Sequence, residues 1–407
     1  MIKRIASEQL KVGMFIHHME CGWMNHPFLS NQFKVSHQSE IDKLIRHGIR
    51  HVSIDTAQGQ DVQPESSNGA SSADAALALD LNLDIPAPPA APEPSVTPHS
   101  LSEELSVAKV VLAEASALMT EVMADVRMGR IVDLERMEPV VEKMILSVLR
   151  NPGAMSCLGR IRQKDHYTFE HSVNVSVLLV NFCRHMGMDH RTIRSAAIGG
   201  LLHDVGKVHM PDAILNKAGP LSDEEFALIR AHVANGVDIV GAIAGISDLS
   251  LTIVAQHHEH MDGGGYPIGL QGDQISQLGQ MAAIVDVYEA LTSQRTYRPA
   301  MEPSHALQRI FGWGKQQFNK DLVQRFIQCV GIYPVGTLVL LDSGMIAIVT
   351  ETNPANLLHP RVLVVLDSRR DLIVTPRDLN LAKPSVKERI VRSEPAAKWK
   401  INMGLYL

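Results

Sequence analysis

No stretch of about 18 consecutive apolar residues, the length a membrane-spanning helix needs, occurs in the 407 residues. The opening segment, MIKRIASEQLKVGMFI, is basic but lacks the sustained apolar core of a secretion signal. No membrane insertion is therefore expected. Cysteine is scarce. The four residues Cys21, Cys157, Cys183 and Cys329 have no CxxC spacing, which excludes a zinc ribbon or a disulfide framework and fits a reducing cytoplasm. A basic excess is also missing: the formal net charge is −6, so the chain offers no field for duplex DNA or anionic lipid, and no nucleic-acid polymer is expected as partner. Histidine is what the chain does have. Of its 19 copies many fall between His166 and His260, a clustering that asks for a metal explanation.

The length exceeds the usual range of about 100–200 residues for one domain, so several folded units are expected. Residues 1–57 alternate short apolar runs with turn residues and predict a small α+β module. Residues 58–100 shift to Ala, Pro, Ser and Asp, with IPAPPAAPEP near the end, a composition that cannot bury enough surface to order itself; they predict a disordered linker. Residues 101–150 form a helical connector. Ser100 and Glu103 have capping-box spacing, and Leu105, Ala108, Leu112, Ala115, Leu118 and Val122 recur at steps of three and four. Such a stripe is ordinary core packing or a face for a homodimer or a signalling protein partner. Residues 151–330 are dense in helical patterns and carry the chemistry. Residues 331–407 alternate as strands with turn punctuation and predict a small β-rich region. The whole reads as a mainly α protein with small β-containing modules at both ends.

Two adjacent pairs stand out. His203 and Asp204 lie in LLHDVGK at the end of an apolar helix, with Lys207 four residues after His203 and so expected on its face. Adjacent helical residues diverge by about 100°, so the pair can reach two ions, with the carboxylate as the natural bridge. His257 and His258 lie in IVAQHHEHMDGGGYP, where an apolar run meets a glycine-rich turn; two imidazoles there suit iron or manganese. His171, His232 and Asp286 each interrupt an apolar helical pattern with one ionisable group, and a buried ionisable group must be paired or metal-bound. Singly, each fits a satisfied core residue. Together they make five histidines and two carboxylates on five helices.

At this point the sequence resembles a known family. HDVGK matches the HDxGK element and HHEHMDGGGYP matches HHExxDGxGYP, the two signatures of HD-GYP phosphodiesterases in the HD hydrolase superfamily, and they occur in the right order. The resemblance covers about His166 to Phe311 and implies an HD-type helical bundle that hydrolyses cyclic di-GMP to pGpG, GMP or both. The opening 60 residues also look like the small module often found ahead of that domain. Carried over residue by residue, the resemblance makes His171, His203, Asp204 and Asp286 ligands of one metal, and Asp204, His232, His257 and His258 ligands of another, with iron or manganese as the divalent ions. Two ions suit a phosphodiester, because they acidify a water and neutralise phosphoryl charge. Lys207 is placed to hold that charge as it develops. The loop Gly265, Tyr266, Pro267 is expected at the cavity mouth as part of the substrate site, with glycines admitting ligand close to backbone, and Arg295 and Arg298 are expected to contact substrate.

Some family members hold a third ion through a glutamate four residues before the first ligand histidine. Here that position is Tyr167, a poor ligand at neutral pH, so two metals are expected. Two other functions compete: hydrolysis of another cyclic dinucleotide such as cyclic GMP–AMP, and a non-catalytic receptor for cyclic di-GMP. Loss of ligands would mark a receptor, and none is lost.

Overall fold

The computed structural model describes residues 2–7, 10–19, 33–35, 41, 44, 51–55, 59, 96–161, 167–215, 217, 221–294, 300–314 and 316–407. Arg295, Arg298 and nearly all of the expected linker lie outside the described residues, and so does the side chain of Tyr167. The chain divides into two compact units, residues 1–70 and 71–407.

In the first unit an antiparallel sheet has the order β1–β4–β2–β3, with β1 Ile2–Ala6, β2 Phe15–Met19, β3 Phe33–Lys34 and β4 His51–Asp55. Val52 and Ile54 alternate along β4 onto one face and are fully buried with Ile16 and Leu44, which is the period-two pattern of a half-covered sheet.

The second unit is helical, and its first helix, α1 (Leu101–Arg127), begins at the capping box that Ser100 and Glu103 spell out. Its apolar stripe is buried against α2 (Leu134–Arg150) and α3 (Pro152–Ile161), in the same core as the helices that carry the histidines. It is thus not an open face awaiting a second chain. Glu104, inside that stripe, is fully buried and takes two hydrogen bonds from Arg150, at 2.7 and 2.9 Å, and one from Ser147. The pair ties α1 to α2 without leaving a buried charge unmatched.

Five further helices hold the site: α4 (Tyr167–His185), α5 (His190–Leu202), α6 (Asp223–Gly241), α7 (Asp248–Gln256) and α8 (Gln277–Thr292). Helix α8 is apolar on nearly all sides and runs through the middle, so a carboxylate on it has nowhere to point but into the interior. Helices α9 (Pro303–Trp313) and α10 (Lys320–Val330) complete the bundle. A five-stranded antiparallel sheet follows, in the order β8–β7–β6–β5–β9, with β5 Leu338–Leu341, β6 Met345–Glu351, β7 Arg361–Asp367, β8 Leu372–Asn380 and β9 Ile390–Ser393. Along β6, Ala347 and Val349 face the helical core, while Ile346 and Ile348 face a second cluster with Met403. Strand β6 is thus packed on both faces, whereas the edge strand β8 is largely exposed. Among the described residues no helix is long and apolar enough to cross a membrane.

Candidate metal centre

Helix α5 stops at Leu202, and the chain turns through His203 and Asp204 into a 3-10 turn, Val205–His209. Gly206 permits that turn: a Cβ there would lie 2.0 Å from the carbonyl oxygen of His232, so only glycine lets the turn press against the backbone of α6. Because the helix ends early, Lys207 does not return to the face of His203. It reaches back three residues instead, and its Nζ donates to Oδ2 of Asp204 at 2.5 Å.

All seven residues singled out as ligands converge. His171 Nε2 lies 3.2 Å from His203 Nε2, 3.5 Å from Asp204 Oδ2 and 3.1 Å from Asp286 Oδ1. On the other side of Asp204, His232 Nε2 lies 3.3 Å from Oδ1 and 3.3 Å from His257 Nε2. His258 Nδ1 faces Asp286 Oδ2 at 3.8 Å. Two groups result, His171 with His203 and Asp204, and Asp204 with His232, His257 and His258, each with ligand atoms within 4.8 Å of one another. Asp204 belongs to both, with one oxygen toward each.

The donor set fits a divalent metal on its own chemistry. Nδ1–H of His203, His232 and His257 donates to the carbonyls of Gly200, Ile229 and Val254 at 2.8, 2.6 and 2.8 Å. That fixes the proton on Nδ1 and leaves each Nε2 with a lone pair. His232 and His257 then aim two lone pairs at each other, and Asp204 Oδ1 is buried with no hydrogen-bond partner among the described residues. Buried acceptors without a donor are costly, and a cation between them removes the cost. Burial drives His232 down to about 4 against the pull of Asp204, and burial together with the neighbouring His203 and His232 drives His257 down to about 3, so both rings are neutral at physiological pH. Burial also depresses His258. For Asp204 burial acts upward, but Lys207 and His203 outweigh it and hold the carboxyl well below its ordinary range. Asp286 is likewise held down, His171 outweighing burial.

His171 has a different support. Its Nδ1 meets the carboxylate of Glu289, one turn after Asp286 on α8, and Glu289 is in turn held by Asn174 at 3.1 Å and by Ser293. Burial pushes the His171 imidazole down, yet Glu289 and Asp286 outweigh it and raise it to about 10. Sequence reasoning missed Glu289 and Asn174. Their signal was a second carboxylate at i+3 from Asp286 in an otherwise apolar helix, and an amide at i+3 from His171.

A family model described as HD domain matches residues 139–322, and one described as a domain of unknown function (DUF3391) matches residues 2–137. The chain is 36% identical, over 98% of its length and 94% of the relative's, to a Pseudomonas aeruginosa protein named cyclic di-GMP phosphodiesterase PA4108. It belongs to the HD-GYP family. A Vibrio cholerae relative, named 3'3'-cGAMP-specific phosphodiesterase 1, is 35% identical over 36% of this chain and 34% of that one. Among solved structures, Bd1817, a HDG"Y"P protein from Bdellovibrio bacteriovorus, aligns at 16% identity with a TM-score of 0.47, over 80% of this chain and 98% of that one.

The loop that gives the HD-GYP family its name is built inward here. Gly265 leaves room for the protein itself rather than for a ligand: a Cβ there would meet the backbone of His258, Glu259 and His260 within 2.6 Å. Tyr266 donates its backbone N–H to the His258 carbonyl, is joined to Pro267 by a cis peptide bond, and is 8% exposed rather than standing open at the mouth. Its ring lies against His258, centroids 4.6 Å apart. Burial and the two site aspartates push its phenol far above the ordinary value, so it stays protonated. Glu259, buried to 1% and also missed by sequence reasoning, accepts the backbone N–H groups of Ile268, Gly269 and Leu270 and ties the far side of the loop down.

Proposed function

We propose that this HD-GYP phosphodiesterase hydrolyses cyclic di-GMP to pGpG, GMP or both, with two divalent ions per chain, iron or manganese, held by His171, His203, Asp204 and Asp286 on one side and by Asp204, His232, His257 and His258 on the other. The observation that carries the reading is Asp204, with one oxygen toward each ligand group and Lys207 on its rim. Divalent ions bound there supply an acidified water and neutralise charge on a phosphodiester. The remaining work falls to side chains. Asp204 keeps the two ligand groups in register, and the backbone-tethered imidazoles keep their lone pairs aimed inward. Lys207, 26% exposed at its side chain, reaches both Asp204 and solvent, so its ammonium stands where a phosphoryl oxygen gaining charge is stabilised. Tyr266 walls one flank, its ring against His258. Nitrogen and oxygen ligands without thiolate favour iron or manganese over a structural zinc site.

The complete ligand set supports an enzyme over a receptor that only binds. The identity to the Pseudomonas relative along nearly the whole chain supports cyclic di-GMP over the mixed dinucleotide, because the relatives named for cyclic GMP–AMP match only about a third of the chain. Incubation of metal-loaded protein with cyclic di-GMP, cyclic GMP–AMP and cyclic di-AMP, resolved by chromatography, tests the reading. Fastest conversion of cyclic di-GMP to pGpG or GMP is expected; preferential cleavage of cyclic GMP–AMP, or no cleavage with both metals present, would overturn it.

A further inference from the structure

A row of stacked side chains leads away from the metal centre. The Tyr266 ring lies over His258 at 32° from parallel. Beside it sits Arg230, whose guanidinium carbon is 5.4 Å from the Tyr266 centroid and 4.2 Å from that of Phe226. Phe226 and Tyr266 meet edge-on at 6.1 Å, so the two rings form a corner and the guanidinium fills it. Arg230 is exposed, two residues before the buried ligand His232 on α6. Two residues make about 200° of helical rotation, which is how one helix sends an imidazole inward and a cation to the rim.

Among the described residues no carboxylate pairs with Arg230. Its contacts are to ring faces, which use its charge and planarity but none of its five N–H donors. A long side chain already fixed over two rings loses little further freedom when it binds an acceptor pair. Its guanidinium lies against Tyr266 and Phe226 rather than on a ligand residue, whereas Lys207 sits on Asp204.

We propose that Arg230 is a specificity-determining residue whose guanidinium fork receives a pair of acceptor atoms on the part of the cyclic dinucleotide that is not being cleaved. Two such pairs exist in cyclic di-GMP: O6 and N7 of a guanine, and two oxygens of the second phosphate. The inference rests on the cyclic dinucleotide reading given above. It assigns to α6 a second task, recognition at the rim beside metal binding in the interior.

The test uses the full, metal-loaded chain and bis(4-nitrophenyl) phosphate, a diester with neither a purine nor a second phosphate, and measures inhibition of its hydrolysis by cyclic di-GMP and by cyclic di-AMP. For Arg230→Ala the inhibition constant of cyclic di-GMP is expected to rise about tenfold relative to the KM of the small diester, the scale of one bidentate pair. Arg230→Lys keeps the charge but not the fork and is expected to lose inhibition in the same sense. A rise confined to cyclic di-GMP supports contact with the guanine edge, and an equal rise for cyclic di-AMP supports contact with the second phosphate. Unchanged inhibition constants in both variants, or a parallel rise in the KM of the small diester, would overturn the proposal. A wild-type chain that cleaves the small diester but is neither inhibited by nor active on cyclic di-GMP would instead overturn the underlying substrate reading, before any variant is compared.

Discussion

The two halves of the proposed metal centre differ in the support of one histidine. His232 and His257, in one half, are oriented by carbonyls three residues earlier in their own segments, and His203, in the other, is held the same way. His171 alone is oriented by a carboxylate from another helix, Glu289, which has its own buttress in Asn174 and Ser293. A backbone carbonyl fixes a tautomer and leaves the ring neutral. A carboxylate also raises the basicity of the ring. The consequence is electrostatic asymmetry: without metal, His232 and His257 are driven down to about 4 and 3, whereas His171 is raised to about 10. One half is ready to receive a cation. The other must first give up a proton.

Asp204 is the one ligand that both halves share, so its removal tests whether they form a single centre. Asp204→Ala is expected to lose metal from both halves and turnover to background, with the helical fold retained by circular dichroism. Elemental analysis of protein purified without oxygen reads the metal directly, and two ions per chain are expected for the wild type. Near-normal turnover in the variant would sink the bridging role. Lys207→Ala comes next in size. It leaves both halves their ligands, so metal content is expected to hold while kcat falls by about 10²–10³-fold, the scale of one lost charge-stabilising donor. Equal loss of metal would make Lys207 a support for Asp204 instead.

Glu289→Ala addresses the asymmetry itself. It removes the support of His171 and touches none of the carbonyl-tethered histidines, so metal affinity should fall about 10–100-fold in one half only. Titration with manganese is expected to change from two closely spaced steps to two well-separated ones. A uniform weakening of both steps would mean that the halves are not held independently.

The same contrast explains what the sequence could tell. The proposed ligands were legible because each is an ionisable residue in an apolar run, and two of the runs end in an adjacent pair, His203 with Asp204 and His257 with His258. The cap at Ser100, the α1 stripe and the alternation along β6 were legible for the same reason, being local patterns. Glu289 and Glu259 were not. Each acts on a segment that folds back onto it, Glu289 across the α4–α8 packing and Glu259 across the GYP loop; the i+3 spacing from Asp286 marks Glu289 as inward-facing but names no partner, and nothing marks Glu259. Lys207 lies close to Asp204, as the sequence suggested, but by another route: periodicity continued a helix that the turn at His203 and Gly206 ends. Arg230 was overlooked because an exposed arginine on a helix is ordinary until the rings beneath it are known.

A further effect is expected on the stability of the metal-free chain, and it separates the halves by sign. His232 and His257 have folded-state values of about 4 and 3, below the ordinary 6.5. Between those values the unfolded chain binds protons that the folded chain refuses. Their contribution is therefore present above pH 6.5 and is lost as pH falls toward 4 and 3, by at most about 1.4 kcal/mol per pH unit for each ring. His171 has the opposite sign, since its folded value is raised to about 10. Its contribution is complete below pH 6.5 and is lost as pH rises through 10. These three groups together place the stability maximum of the metal-free chain near pH 6.5, with an acid limb from one half and an alkaline limb from the other. Urea titrations of chelator-treated protein between pH 4.5 and 9.5, followed by far-ultraviolet circular dichroism of the helices, would trace both limbs. In Glu289→Ala the alkaline limb should flatten while the acid limb stays, because Glu289 is the largest of the groups that raise His171 and it touches neither His232 nor His257. Flattening of the acid limb in that variant would show that the protons of the two halves are coupled through Asp204.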